Sequence, residues 1–360
     1  MPGIPAESSE IADLSAKEVT MTEMMRAAIL KDVAHFEVEQ VPKPQITEPD
    51  EVLIKVLVCS ICGTDVNVSG TMAYGSKDLH GEILGHELVG EIVETGSAVT
   101  GLRVGQRVVV NPNSYCCKCP SCRAGYRNHC ENMKLMGLTV AGGFAEYVKT
   151  KEFLAFPISQ DVPLNHAAFA EPLSCAMNGF SRLNITPGDT CVVFGCGPIG
   201  LLFAQLARAS GARVACVEIK ENRMAIARKL GLDVYMAGPD VKEKLMQKWG
   251  RRANFCIDAA GGQLVTAIDY AEYRGTILCF AGPRTAKEGW NFGPIQGKEL
   301  TIMGSFIIND SMHRAVTVLE SGMLNLDPLV THILPLEELD KGIALMKSGE
   351  GMEIIMEIGK

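Results

Sequence analysis

The sequence predicts an α/β protein in which a mainly β domain is followed by a doubly wound parallel sheet. Three observations carry that reading. Short, glycine-punctuated strand signals run from Met25 to about Val148. From about Leu173, strand-like runs alternate with helix-like ones, the pattern of βαβ units. Within the first of these regions Cys116, Cys119, Cys122 and Cys130 stand at C-x2-C-x2-C-x7-C, marking a lobe inserted after Val110.

The elements follow in order. Residues 1–24 are polar, with scattered proline, serine and acidic residues, and read as a loosely ordered leader. Met25–Leu30 and Val52–Cys59 read as strands on either side of the proline-rich Val41–Pro49 loop. Val89–Glu94, Arg107–Val110 and Ala145–Lys149 continue the β pattern. The alternation then runs strand Cys191–Phe194, helix Leu201–Ser210, strand Arg213–Val217, helix Arg223–Leu230. Strand signals at Phe255–Asp258, Gly275–Phe280 and Leu300–Ile302 follow, then a helix at Met312–Ser321 and a strand at Ile354–Ile358. The expected division is 25–172 with 310–360 as one discontinuous domain, carrying the cysteine lobe at about 111–131. Residues 173–309 form the second domain.

Composition narrows the function. A chain of 360 residues, 47% hydrophobic and 21% charged, is long enough for two domains and a large core. A net charge of −8 with no basic run argues against a nucleic-acid partner. The charge-free window Thr190–Ala207 contains Pro198 and three glycines, so it reads as strand, turn and helix start, and no membrane partner is expected.

Four thiolates within fifteen residues can close a tetrahedral shell around one Zn²⁺. The competing reading is disulfides. It fails on compartment, because Glu7, Glu10 and Asp13 interrupt any secretory h-region and a cytoplasmic protein keeps its thiols reduced. All four ligands come from protein, so this site is structural and orders a lobe with little core of its own. Cys117 reads as a bystander, and His129, beside Cys130, is a weaker rival ligand.

Gly195-Cys-Gly-Pro-Ile-Gly200 matches G-x-G-x-x-G between a strand and a helix. Gly195, Gly197 and Gly200 permit a tight turn and close backbone approach and leave a helix N-terminus free to meet a pyrophosphate, with Pro198 and Ile199 in the same cofactor-binding set. Glu218, eighteen residues past Gly200, ends the next strand. A carboxylate there accepts from both ribose hydroxyls and repels a 2′-phosphate, which favours NAD. Arg223 belongs to the same cofactor-binding set, and Lys220 with Arg223 would be the phosphate contacts if the cofactor were NADP.

A second metal constellation is dispersed: Cys62 in Cys-Gly-Thr-Asp, His86 and Glu87 in Gly-His-Glu, and Glu171 in Glu-Pro-Leu. One Cys, one His and one or two carboxylates suit zinc and leave a position open. Spacing alone does not join them. The order of these motifs with the cysteine quartet and the glycine turn resembles the zinc-containing medium-chain alcohol dehydrogenases from Met25 to Ile358. Glu171-Pro-Leu is similar to their polyol (sorbitol) and threonine dehydrogenase branch. The resemblance implies a GroES-like catalytic domain, a Rossmann cofactor domain and an active site in the cleft between them. It implies two Zn²⁺ per chain, with Cys62, His86 and Glu87 on the catalytic ion and Glu171 bound to it directly or through water. It implies reversible oxidation of a secondary alcohol to a ketone, in which zinc acidifies the hydroxyl and NAD takes the hydride. Thr64 then begins the proton relay.

Two departures stand out. The branch carries a histidine five residues after the zinc cysteine, where this chain has Asn67, so the relay ends in water, Glu171 or His80. Many relatives carry a lysine before the last strand, where this chain has Glu350-Gly-Met-Glu353.

The expected substrate is a polyol or sugar derivative, the rivals being a threonine-type amino alcohol, a bulky cyclic alcohol such as a steroid, or no substrate at all in a retired nucleotide-binding protein. Intact Cys62, His86, Glu87 and Glu171 argue against retirement. Val66–Lys77, Tyr115, Leu138–Val140 and Phe292–Pro294 are expected to shape the pocket. Cys175, Cys191, Cys196, Cys216, Cys256 and Cys279 read as small buried hydrophobes. The apolar Leu300–Ile308 reads as an edge strand that pairs with its own copy, giving a homodimer or homotetramer.

Overall fold

The computed structural model describes residues 23–282 and 293–359. Most of the expected leader therefore lies outside the described residues. A hairpin of β1 (Met24–Asp32) and β2 (His35–Pro42) opens the chain. Next come β3 (Glu51–Ser60), helix α1 (Gly63–Thr71), β4 (Glu87–Thr95) and β5 (Arg107–Val110). After the cysteine lobe come β6 (Tyr147–Lys151), β7 (Ala155–Pro157) and α2 (Ala170–Phe180). The alternating region follows: β8 (Thr190–Phe194), α3 (Pro198–Ala209), β9 (Arg213–Glu218), α4 (Glu221–Lys229) and β10 (Asp233–Met236). It continues through β11 (Ala253–Asp258), β12 (Ala271–Cys279) and β13 (Thr301–Gly304). The chain ends with β14 (Val330–Pro335), α5 (Leu339–Ser348) and β15 (Glu353–Glu357).

Two sheets organise these elements. The first has seven strands in the order β7-β5-β4-β3-β15-β14, with β6 also paired to β3. Strand β3 is nearly continuously buried because it has partners on both sides and side chains packed on both faces. The C-terminal strand returns to this sheet: Ile355 pairs with Ser60, and Ser60 pairs with Glu87. Ile54, Val56, Leu88, Ile92 and Met356 fill its core.

The second sheet is parallel throughout, in the order β10-β9-β8-β11-β12-β13. Numbered within itself this is 3-2-1-4-5-6, the doubly wound dinucleotide-binding order. Val193, Leu201, Phe203 and Leu278 pack one face, and Val192, Phe194, Trp249 and Ile277 pack the other. Burying each such side chain contributes roughly 1.5–3 kcal/mol.

Two boundaries differ from the sequence reading. Helix α3 begins at Pro198, not Leu201, because Gly197 caps it and proline suits a first-turn position that needs no N–H. The last parallel strand ends at Gly304 instead of continuing to Ile308. The Asn128 side chain donates to the Phe306 carbonyl at 2.9 Å, and that of Asn178 donates to the Ile307 carbonyl at 2.7 Å. These bonds bend the segment away from the sheet and toward the cleft. Among the described residues no helix is long and apolar enough to cross a membrane.

Candidate metal centres and cofactor cleft

In the lobe, the sulfurs of Cys116, Cys119, Cys122 and Cys130 all lie within 4.8 Å of one another. Local backbone turns aim N–H groups at them. Cys116 N–H donates to Cys130 Sγ at 3.3 Å, Cys119 N–H to Cys116 Sγ at 3.3 Å, and Cys122 N–H to Cys119 Sγ at 3.5 Å. The backbone donors of Lys118 and Cys119 pull the Cys116 thiol down to about 6. Burial and the neighbouring sulfurs push Cys122 up to about 12. Sulfurs this close cannot all carry charge without a cation, so the quartet fits a four-thiolate zinc. The lobe's apolar cluster contains only these cysteines with Tyr115 and Met133. Exposed Cys117 stays outside the quartet, as does His129, whose ring stacks on Phe306 at 5.7 Å.

The second centre forms where β3, α1 and β4 meet. Cys62 caps α1, Glu87 opens β4, and His86 immediately precedes it. Their ligand atoms lie within 4.8 Å of one another. Asp65, fully buried, holds the two motifs together: it accepts from the Cys62 N–H at 2.9 Å and from the Gly85 N–H at 3.3 Å. Gly85 is required before His86, since its φ is +90° and a Cβ there would stand 2.9 Å from Phe144. Burial opposes charge on His86, but Asp65 and Cys62 outweigh it and raise its pKa well above the ordinary value. Burial, then Cys62, Glu353 and Glu171, raise Glu87. A pocket in which anions crowd until they hold protons is suited to a divalent cation. The soft–borderline–hard donor set of Cys, His and Glu fits zinc with a position left open.

Glu171 is not part of that tight set. It faces the same cleft from the first turn of α2, and its Oε1 accepts from the Cys175 thiol at 3.2 Å. The structure therefore brings three of the four expected ligands together and leaves the fourth beside them. Cys175 also departs from the sequence reading: it lines the cleft, since α2 turns residues 171 and 175 to the same side.

Glu353 is the group the sequence reading passed over. It is 3% exposed, lines the cleft, and its Oε1 has no hydrogen-bond partner. Burial raises its pKa to about 8. The signal was present as an acid before the last strand, but its meaning depends on β15 lying beside β3.

The cleft has a volume of about 1440 Å³ and runs from the metal centre to the glycine turn. Thr64, Asn67, Thr71, Leu138 and Thr139 line the metal end. Tyr115 does not; it packs on Phe153 at 5.2 Å and on Arg127. Pro294 and Val140 are also outside the lining, and Phe292 lies outside the described residues. His80 is exposed and away from the cleft, so it is no relay terminus.

At the other end Gly197, Pro198, Ile199 and Gly200 line the cleft. A Cβ on Gly200 would stand 1.9 Å from the Gly195 carbonyl oxygen, so only glycine allows this turn. Arg223 lines the same end with a buried Nε that has no partner, 23 residues after Gly200 in sequence but beside Gly197 in space. An orphaned guanidinium nitrogen beside a free helix N-terminus fits a pyrophosphate. Glu218 is buried at the end of β9. Its carboxylate accepts from the backbone N–H groups of Cys196, Ile219 and Lys220 at 2.7, 2.7 and 2.9 Å.

Comparisons with known proteins agree with this geometry. Residues 48–160 match the alcohol dehydrogenase GroES-like domain, and residues 198–321 match the zinc-binding dehydrogenase domain. D-arabinitol dehydrogenase 1 of Uromyces fabae is 33% identical, with 94% of this chain and 98% of that protein covered. An L-threonine 3-dehydrogenase of Chelativorans sp. (strain BNC1) is 33% identical over 94% of this chain and 100% of its own length. A structure described as a zinc-binding dehydrogenase from Sinorhizobium meliloti 1021, bound to NADP, superposes with a TM-score of 0.85 at 30% identity. It covers 93% of this chain and 99% of its own. The chain belongs to the zinc-containing medium-chain alcohol dehydrogenase family, in its polyol and threonine dehydrogenase branch.

Proposed function

We propose that this protein oxidises a neutral, polyhydroxylated secondary alcohol to the ketone, reversibly, with NAD as hydride acceptor. The observation that carries the reading is the Cys62–His86–Glu87 set opening onto the cleft that also holds the glycine turn. When bound, zinc acidifies the substrate hydroxyl and the nicotinamide ring receives the hydride. The chain's own groups do the rest. Cys62, His86 and Glu87 hold the metal, and Asp65 fixes their backbone. Thr64 offers a hydroxyl that accepts the substrate proton while releasing its own. Asn67, one turn along α1, cannot titrate, so the proton passes on through water or Glu171. Arg223 and the α3 N-terminus receive the pyrophosphate, and the charge of Glu218 disfavours a 2′-phosphate.

A polyol is favoured over threonine by the charges of the cleft. Among the described lining residues the lysines and arginines are Lys220, Arg223 and Lys347, all near β9, α4 or α5. None sits on α1 or on residues 133–139 to meet a substrate carboxylate. Glu171 and Glu353, acids that line this end, offer it no counter-charge. The polar Thr64, Asn67, Thr71 and Thr139 suit hydroxyl groups better than a steroid skeleton.

The reading includes two domains, 25–172 with 310–360 and 173–309, supported by the return of β15 to β3. It also includes a homo-oligomer formed through the β13 edge, supported by its position at the end of the parallel sheet. Light scattering that gave only the 38.8 kDa monomer would remove the oligomer. The function itself is tested by NAD⁺ reduction across polyols, amino alcohols and cyclic alcohols, with zinc measured before and after chelation. Activity on polyols that disappears with one of two zinc ions is the expected result. Activity indifferent to chelation, or confined to threonine, overturns it.

A further inference from the structure

Cys175 and Glu171 sit four residues apart on α2, so their side chains share one helix face, and that face borders the cleft. The thiol donates to Glu171 Oε1 at 3.2 Å. Glu171 lies outside the 4.8 Å set of Cys62, His86 and Glu87. A carboxylate on a flexible side chain beside a dication can stand on the metal or off it, and a donor that engages one of its oxygens biases that choice. We propose that Cys175 is a positioning residue: its thiol keeps the Glu171 carboxylate on the α2 side of the cleft and so preserves the open metal position for the substrate hydroxyl. This inference rests on the zinc reading above.

The choice of a thiol has a physical consequence. Sulfur is a weak donor, so the hold is worth only about 1 kcal/mol or less. The carboxylate is therefore parked lightly and can move to the metal when the position is vacant. No covalent chemistry is involved.

The experiment compares the zinc-loaded wild type with Cys175→Ala, Cys175→Val and Cys175→Ser. The readouts are the rate at which a chelator removes the labile zinc, kcat and KM for the best substrate, and the melting temperature. Cys175→Ala and Cys175→Val free Glu171 to close on the metal. Zinc loss then slows, and kcat falls about fivefold, the change expected for losing a hold of about 1 kcal/mol. KM for NAD⁺ stays unchanged. Cys175→Ser keeps a donor and restores both zinc loss and kcat. In a Glu171→Ala background the Cys175 substitutions have no further effect, as a double-mutant cycle requires for two residues acting as one. Wild-type kinetics and zinc loss in Cys175→Ala, or a Cys175→Ser as impaired as Cys175→Ala, overturn the assignment. So does a Cys175 effect that persists without Glu171. If wild-type activity survives chelation, the zinc reading itself has failed, an outcome visible before any variant is made.

Discussion

Glu218 Oε2 accepts the backbone N–H of Cys196 at 2.7 Å, tying the end of β9 to the first step of the glycine turn. The same carboxylate accepts two further backbone donors through Oε1. One side chain thus both shapes the turn and sets the charge beside it. Glu218→Ala should raise KM for NAD⁺ by about tenfold, in line with the loss of charge-assisted hydrogen bonds. Discrimination against NADP⁺ should relax. Glu218→Gln keeps an acceptor but removes the charge, so it should relax discrimination with a smaller rise in KM. Steady-state kinetics with both cofactors check this; a wild type that already prefers NADP⁺ would move the assignment to Lys220 and Arg223.

Glu171→Ala should lower kcat while leaving the four-thiolate zinc and NAD⁺ binding intact. The carboxylate stands beside the metal centre, not inside its tight donor set. Glu171→Cys offers a softer ligand in the same place, keeping zinc bound and shifting the pH profile of kcat. The checks are kcat, KM and zinc content for both. Near wild-type kcat in Glu171→Ala would reduce this residue to a helix-start carboxylate.

Cys119→Ser should damage folding before chemistry. The lobe has almost no apolar core besides its cysteines. Structural zinc contributes on the order of 10 kcal/mol in small zinc-binding peptides. Loss of one sulfur should lower the melting temperature by several degrees or leave the protein insoluble. It should also loosen the segment that Asn128 anchors at Phe306. A soluble variant of normal melting temperature and full zinc content would show that the quartet holds no metal.

Glu51 predicts an acid limb of the stability curve. Its burial opposes charge, but N–H donors from Thr47 and Glu48 at 2.9 and 3.0 Å, with Lys149 at 3.1 Å, prevail. The carboxyl is held down to about 2, against an ordinary 4.5. The unfolded chain therefore binds the proton first as pH falls. The stabilisation is full above about 4.5 and is lost as pH falls through about 2. It is on the order of 3 kcal/mol. Glu51→Gln should lower the melting temperature at pH 7 and flatten its decline below pH 4.5. Parallel acid titrations of the two proteins, with equal slopes, would show that Glu51 contributes nothing to that limb.

Two features of this protein were legible in the sequence because their geometry is local. The quartet draws all its ligands from Cys116–Cys130, where turns alone bring the sulfurs together. The glycine turn is set by the backbone freedom of Gly195, Gly197 and Gly200 between one strand and one helix. Alternation of strand and helix likewise identified the parallel sheet, since it reports how each element meets its own neighbours. The candidate metal set was nameable only through resemblance, because Cys62 and the His86–Glu87 pair come from separate elements whose meeting depends on sheet register.

The tertiary structure alone decided the rest. Glu353 became part of the cleft because β15 pairs with β3, which carries Ser60 opposite Glu87. Cys175 read as a small hydrophobe until the packing of α2 turned it toward Glu171. The apolar Leu300–Ile308 read as one strand, but side-chain amides from two distant segments bend it after Gly304. Glu218 was expected to face a ribose, and only the fold shows its oxygens already engaged by the turn. The physical reason is common to all four. Sequence pattern encodes the face a residue takes on its own element, whereas burial, charge coupling and hydrogen-bond partners depend on which other element lies against that face.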